Sequence, residues 1–379
     1  MKVLVINAGS SSLKFQLFEQ TDWSAILQGN VERIGETGSS VFPDHSAALE
    51  HVLAEITSAG ISLSDISVVG HRVVHGGAMF TEPTVVTADV AEGIESLIPL
   101  APLHNPANLT GIRALQELMP QTPQVAVFDT AFHATIPAQA NTYAISTEVA
   151  ERYGIRRYGF HGTSAQYVTS RVAEILEQPL ASTNAIICHI GNGASVTAVN
   201  HGLSVDTSMG MTPLEGLVMG TRSGDIDPGV LLHLSRVAGY GVADIDRLLN
   251  RESGLQGLTG VSDMRAVKDK ADSGDESAQL ARAIYAYRIR KYIASYLGVV
   301  PSVQAIVFTA GVGENDSALR REILLGLAHL GITLDETLNE SRSAGDRVIS
   351  SADSAIQILV IKTNEELEIA RQSLAAISA

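Results

Sequence analysis

At 379 residues the chain exceeds one typical hydrophobic core, so two domains are the natural division. An apolar fraction of 45% argues against disorder, and a formal net charge of −15 argues against nucleic acid or an anionic membrane as a main partner. The single cysteine, Cys188, excludes an internal disulfide and suits a reducing cytoplasm; MKVLVINAGS shows no signal-peptide cleavage pattern, and no apolar run reaches membrane-spanning length.

Residues 3–18, VLVINAGSSSLKFQLF, are an apolar run, a turn of small residues and a second run. The pattern predicts a strand–turn–strand whose backbone N–H groups and hydroxyls can meet an anion. After a polar stretch at 30–46, helical spacing covers 47–58, and 67–74 reads as a buried strand. Helices are expected at 90–98 and 108–118, and a strand at 124–128. Thr163 or Ser164 is expected to cap a helix at 163–178. Residues 185–199, AIICHIGNGASVTAV, then repeat the opening pattern around Gly191, Asn192, Gly193 and Ala194. Two ordinary hairpins would look the same, but two copies half a chain apart suggest a duplicated domain with a cleft between the halves.

The second half continues with helices at 228–237, 244–250 and 276–297, a strand at 303–308 running into Thr309-Ala310-Gly311-Val312-Gly313, and a helix at 316–329. A last strand at 356–361 and a helix at 365–376, capped by Thr363 or Asn364, complete the chain. Alternating strands and helices imply α/β layers. No Pro/Gly/Ser-rich linker is present, and a boundary near 145–155 is expected.

The standard P-loop, dinucleotide-binding, nucleophile-elbow and HExxH patterns are missing. What remains is a set of polar residues beside glycines at strand ends, where ligands of open α/β sheets bind. Asn7 and Lys14 flank the first turn. Arg72 and His75 lie in GHRVVHGG, Asp129 and His133 in FDTAFH, His161 in YGFHGTS, Arg222 and Asp225 in GTRSGDIDP, and Asp263 and Arg265 in SDMR. Asn315 follows AGVGE, and Glu365 and Glu366 open the last helix. Each also has a structural reading: a lone Arg is usually paired or snorkels, a lone His usually satisfies the core, and acids in a first turn complement the helix dipole. Together they form a phosphoryl-transfer set, with two Arg and a His to spread positive charge, Asp or Glu for Mg²⁺, and Gly-rich turns for the remaining phosphates.

INAGSSSLKF, GHRVVHGG, APLHNPAN, VAVFDTAFH, YGFHGTS, HIGNGAS, TSMGMTPLEGLVMGTRSGDIDP, TAGVGEN and the late NEE, in that order over nearly the whole chain, resemble the acetate kinase family. The resemblance implies an α/β fold of two duplicated ribonuclease H-like domains around a central nucleotide cleft, as in sugar kinases, Hsp70 and actin. It places an acyl-substrate domain at 1–149 and a nucleotide-binding domain at 150–365, with the C-terminal helix, about 366–379, packing back on the first. It implies reversible transfer of the ATP γ-phosphoryl to acetate, giving acetyl phosphate and ADP, with Mg²⁺ or Mn²⁺, in a cytoplasmic homodimer with neither nucleic-acid nor membrane partners.

Carried over by motif, Arg72 and Arg222 would hold the carboxylate and stabilise the moving phosphoryl, His161 would donate to it, and Asp129 would orient an Arg or metal-bound water. Glu365, with Asn7 nearby, resembles the Mg²⁺ site. Lys14, His189, Ile190, Gly191, Asn192 and Gly193 would line the phosphate path. Asp263, Met264, Arg265, Gly311, Val312, Gly313 and Asn315 would receive the nucleoside, and Val74, Leu103, Phe160 and Pro213 the acyl methyl. A propionate or other short-chain acyl kinase is the near alternative, and a nucleotide-dependent binding protein of the same fold the distant one. The chain departs from the family pattern at Ala165, where a His is usual, at Met264, where Phe is common, at Ala107, where Pro is usual, and in a short polar stretch after residue 30.

Overall fold

A computed structural model describes residues 1–35, 42–341 and 345–378. Part of the short polar stretch after residue 30 lies outside these residues. The chain divides into two compact units. The first comprises Met1–Ala134, Gly162–Ser164 and Asn364–Ala379, and the second Thr135–His161 and Ala165–Thr363. The first segment of the first unit runs to Ala134, and the C-terminal segment from Asn364 belongs to the same unit.

In the first unit the apolar runs form β1 (Lys2–Ala8), β2 (Ser12–Glu19), β3 (Ala25–Glu32), β4 (Ile66–Val73), β5 (Thr84–Val85) and β6 (Gln124–Phe128). They make one six-stranded sheet in the order β3-β2-β1-β4-β6-β5. β1, β2 and β3 are an antiparallel meander, β1, β4 and β6 run parallel, and β5 is antiparallel to β6. The second unit contains β7 (Ala185–Ile190), β8 (Ala194–Asn200), β9 (Leu203–Thr207), β10 (Ala305–Thr309), β11 (Arg347–Val348) and β12 (Gln357–Val360). Read from β9, its sheet runs β9-β8-β7-β10-β12-β11, with the same parallel and antiparallel pairings. Renumbered from its own first strand, this order is that of the first sheet. The repeated hairpin is therefore the visible part of a repeated six-stranded plan, which is the duplicated α/β fold expected.

Val3, Leu4, Val5 and Ile6 of β1 are all essentially without exposure, because helices cover both faces of the sheet. Alternate side chains serve opposite faces. Leu4, Ile6, Leu13, Phe15 and Val69 pack with Leu49, Val52 and Ile56 of the helix His45–Ser58. Each such aliphatic side chain contributes about 1.5–3 kcal/mol on burial. On the other face the helix Glu365–Ser378 lies so close to β4 that a Cβ on Gly70 would fall 2.3 Å from Ser373 Oγ. Asn364 Oδ1 caps this helix by accepting from Leu367 N, which resolves the two expected caps.

Some local expectations are corrected. The helix read as 163–178 spans Gly162–Ile175, and neither Thr163 nor Ser164 caps it. His161 occupies the cap position, while Thr163 Oγ1 donates to Asp129 Oδ1. The TAGVGEN stretch is not an open loop: Ala310–Asn315 is a short helix entered directly from β10. Strands β3, β5, β9 and β11 and the helix Met264–Asp272 were not anticipated. Among the described residues no helix is long and apolar enough to cross a membrane.

Candidate active site

In the first unit, β4 carries Arg72 and the end of β6 leads into Asp129. The Arg72 guanidinium donates to Asp129 through Nε (3.0 and 3.2 Å) and Nη2 (2.5 Å), and Nη1 reaches Asn7 Oδ1 at 3.4 Å. This forked pairing fixes the plane of the guanidinium. Burial works against the Arg72 cation, but Asp129, then Glu365 and Glu366, more than offset it and hold its pKa above the ordinary value. Asp129 is itself anchored: Thr163 donates to its side chain, Gly162 N to its carbonyl, and its own N–H to Val73 O. A Cβ on Gly162 would lie 2.2 Å from Asp129 O, so this crossing requires glycine.

The neighbouring motifs turn out to be scaffolding for β4. Asn108 Oδ1 accepts from Val74 N, and its Nδ2 donates to Ala8 O. Asn105 brackets His75 through N–H and carbonyl, and Gly76 N donates to Thr130 Oγ1. APLHNPAN thus supplies two amides, of which Asn108 ties the end of β4 to β1 and Asn105 holds His75, and buried His75 accepts from Gly77 N. Val74 is buried in this scaffold and Leu103 is exposed.

Glu365 opens the C-terminal helix. Burial pushes its carboxyl above the usual carboxylate range, and Asp129 and Glu366 add to this against the pull of Arg72 and Lys14. Lys14 faces Asn7 across the β1–β2 pair. Among the described residues no group of three or more His, Cys, Asp and Glu side chains could hold a metal ion by itself. The donors around Arg72, the carboxylate of Glu365 and the amide of Asn7, are hard oxygens. They suit a Mg²⁺ that keeps several waters and takes its remaining ligands from phosphates.

In the second unit, the turn between β7 and β8 gathers His161, His189, Asn192, Gly193 and Arg222. The rings of His161 and His189 stack at 4.1 Å between centroids, and His161 Nδ1 lies 3.0 Å from Ser195 Oγ. His161 is held at φ 58°, in the left-handed region, at a cost of about 1–2 kcal/mol for a non-glycine residue. A Cβ on Gly193 would meet Arg222 Nη2 at 2.8 Å and His161 Nε2 at 3.3 Å, so both groups converge over a residue whose lack of a side chain leaves them room. Arg222 Nη1 donates to Pro213 O at 2.7 Å. Among the described residues no carboxylate forms an ion pair with Arg222, and burial alone lowers its pKa.

Beside this turn lies a cavity of about 710 Å³, within the usual range for small-molecule sites. Gly191, Asn192, Asp263, Met264, Arg265, Gly311, Val312 and Asn315 line it, as do Leu255, Lys268 and Asp269, which sequence reading missed. The helical period of 264–272 would have signalled Lys268 had that helix been recognised. Asp263 caps the helix and pairs with Arg265 at 2.6 Å, and Arg265 lowers its pKa to about 2. Gly313 and Ile190 are buried. Phe160 is buried and Pro213 half-buried. Asp225 is structural: it accepts from Gly216 N and from the Tyr292 hydroxyl. Ala165 is buried within the helix, where its carbonyl accepts from Thr169.

A family model described as the Acetokinase family matches residues 2–371. An acetate kinase of Leifsonia xyli subsp. xyli is 54% identical, over 100% of this chain and 99% of that protein. The crystal structure of Porphyromonas gingivalis acetate kinase superposes with a TM-score of 0.93 at 42% identity, over 99% of each chain. A propionate kinase from Francisella tularensis subsp. tularensis matches with the same TM-score, identity and coverage. On these grounds the chain belongs to the Acetokinase family.

Proposed function

We propose that the protein is a Mg²⁺-dependent acetate kinase that moves the γ-phosphoryl of ATP reversibly onto acetate, giving acetyl phosphate and ADP. The observation that carries this reading is Arg222: a half-buried guanidinium without a counter-ion among the described residues, set beside two stacked histidines and a glycine turn that borders a nucleoside-sized cavity. A carboxylate nucleophile is already ionised and needs no general base. The barrier lies instead in bringing two anions together, roughly 4 kcal/mol for two unit charges about 4 Å apart near a protein surface. Arg222 supplies net positive charge for that approach, and His161 a donor for the phosphoryl oxygens. Arg72, oriented by Asp129, supplies directed N–H groups for the carboxylate. Asn7 and Glu365 would hold Mg²⁺, which when bound neutralises phosphate charge. Lys14, His189, Asn192 and Gly193 serve the phosphates, and the cavity between Asp263–Arg265 and Gly311–Asn315 the nucleoside. Val74, Leu103, Phe160 and Pro213 serve the acyl methyl. Transfer is direct and in line, so a chirally labelled γ-phosphorus is expected to invert; retention would point to a phosphoenzyme.

The decisive experiment is formation of acyl hydroxamate from ATP, Mg²⁺, hydroxylamine and a series of carboxylates. Acetate is expected to give the highest kcat/KM. No acyl phosphate with any short acid would overturn the reading, and a maximum at propionate would support the second one. That second reading rests on the equal likeness to a propionate kinase, and one methylene is worth only about 1–3 kcal/mol in an apolar pocket.

The protein is further proposed to act in the cytoplasm as a homodimer. The helix Pro228–Ala238 supports dimerisation: it buries none of its residues, and Val230 and Val237, two turns apart on one face, are exposed. A second copy is expected to cover this face. Light scattering should then report a dimer for the native protein and a monomer for Val237→Glu; a native monomer would refute it.

A further inference from the structure

Within the second unit, Arg222 Nη1 donates to the carbonyl of Pro213, its one hydrogen-bond acceptor among the described residues. Pro213 has no N–H of its own, so the position of its carbonyl depends on how the flanking residues are fixed. They are fixed by two side chains remote in sequence, Tyr143 and Arg157. Tyr143 Oη accepts from Met211 N at 3.0 Å and donates to Glu215 Oε2. Arg157 Nη2 donates to Glu215 Oε1 at 2.7 Å. Arg157 Nη1 also donates to the carbonyls of Thr207 and Met209, each at 2.9 Å. The segment 209–215 is therefore gripped on both sides of Pro213, by Met211 before it and Glu215 after it. The fit is close: a Cβ on Gly210 would lie 2.1 Å from Tyr143 Oη, so glycine there lets the phenol reach the backbone.

We propose that Tyr143 and Glu215 are positioning residues for phosphoryl transfer, acting by fixing the Pro213 carbonyl that aims Arg222. Neither touches the proposed reactants, and neither has been given a role by sequence motif. The inference rests on the role proposed above for Arg222. Its physical basis is that, among the described residues, Arg222 has no carboxylate partner, and the Pro213 carbonyl is the acceptor that orients its guanidinium. A misplacement of about 1 Å in a reacting constellation can cost on the order of 10²-fold in rate. Loss of one of two grips should cost less.

The test is a double-mutant cycle on kcat, with Tyr143→Phe, Arg222→Ala and the double variant. Tyr143→Phe removes both hydrogen bonds of the phenol while keeping the ring. It is expected to lower kcat about ten-fold, with the KM for ATP within about two-fold of wild type, since the nucleoside cavity borders other segments. In the Arg222→Ala background the same change is expected to have no further effect on kcat, because the group it aims is gone. A purely structural role would lower activity in both backgrounds equally, and that outcome overturns the proposal. If Arg222→Ala alone leaves kcat within a few-fold of wild type, the underlying reading of Arg222 fails instead. Should Tyr143→Phe not fold, Glu215→Gln, which keeps the side-chain shape and one acceptor, carries the same cycle with the same criterion.

Discussion

Arg72 and Arg222 are chemically identical groups placed in opposite surroundings. Arg72 is locked by two oxygens of Asp129, with Glu365 and Glu366 adding negative charge, and its cation is stabilised. Arg222 has a carbonyl for company, and burial without a counter-ion weakens its hold on the proton. The first region is over-supplied with negative charge and suits an added cation. The second is under-supplied and suits an added anion. The lesson is that arginines of equal prominence in the sequence divide the work: one offers direction, the other offers charge.

The sharpest way to break this comparison is to delete each guanidinium. Arg222→Ala is expected to lower kcat by on the order of 10³-fold or more while leaving thermal stability unchanged or raised, because it removes a desolvated, unpaired cation. Steady-state kinetics beside calorimetry check it; a loss of stability with activity retained would invert the assignment. Arg72→Ala should also lose activity, but it strands the almost fully buried Asp129 carboxylate. A stability loss of about 3–5 kcal/mol in urea unfolding is expected, typical of a broken buried pair. Equal stability of the two variants would erase the distinction drawn here.

A third test uses His71, the neighbour of Arg72 on β4, buried and 2.6 Å from Gln124 Oε1. Burial lowers its pKa to about 4, against the opposing hydrogen bond from Gln124. The folded protein therefore binds this proton less readily than the unfolded chain, whose histidine titrates near 6.5. The stabilisation is complete above about pH 6.5 and is lost as pH falls towards about 4, amounting to about 3 kcal/mol across that window. Urea unfolding of wild type and His71→Asn at both ends of the window should show the wild type losing more. Parallel slopes would exclude His71 as the source. The last test of the comparison is Gly193→Ala. Its methyl group would press on Arg222 Nη2 and His161 Nε2, and about 10²-fold in kcat should disappear with the fold intact. Retained activity would show that the two groups do not need to meet there.

Much of the frame was legible because it is written in local patterns. The hairpins of β1–β2 and β7–β8 are continuous apolar runs around small-residue turns, and β4, β6 and β10 are short buried runs between helices. Strands β5 and β11 are two residues long and carry no period to detect. The helix Ala310–Asn315 was hidden because its two glycines look like a loop when read locally. At the site, Arg72, His161 and Arg222 stood out through their glycine-rich settings, and Asp129 through its place at the end of a short strand. The network of Tyr143, Arg157 and Glu215 did not, because its members are separated by up to 72 residues and each alone is an ordinary surface-type side chain.

By itself the sequence determined the alternation of strands and helices, the duplicated opening hairpin and the set of polar residues at strand ends. Those properties depend on side-chain period and composition, which are local. Only the tertiary structure decided that both sheets follow one strand order, that Asp129 is spent on Arg72, and that no acid among the described residues pairs with Arg222. Charge balance at a site depends on which distant carboxylates the fold brings near and which it keeps away. That selection is made by packing between segments far apart in the chain, so no stretch of residues carries it alone.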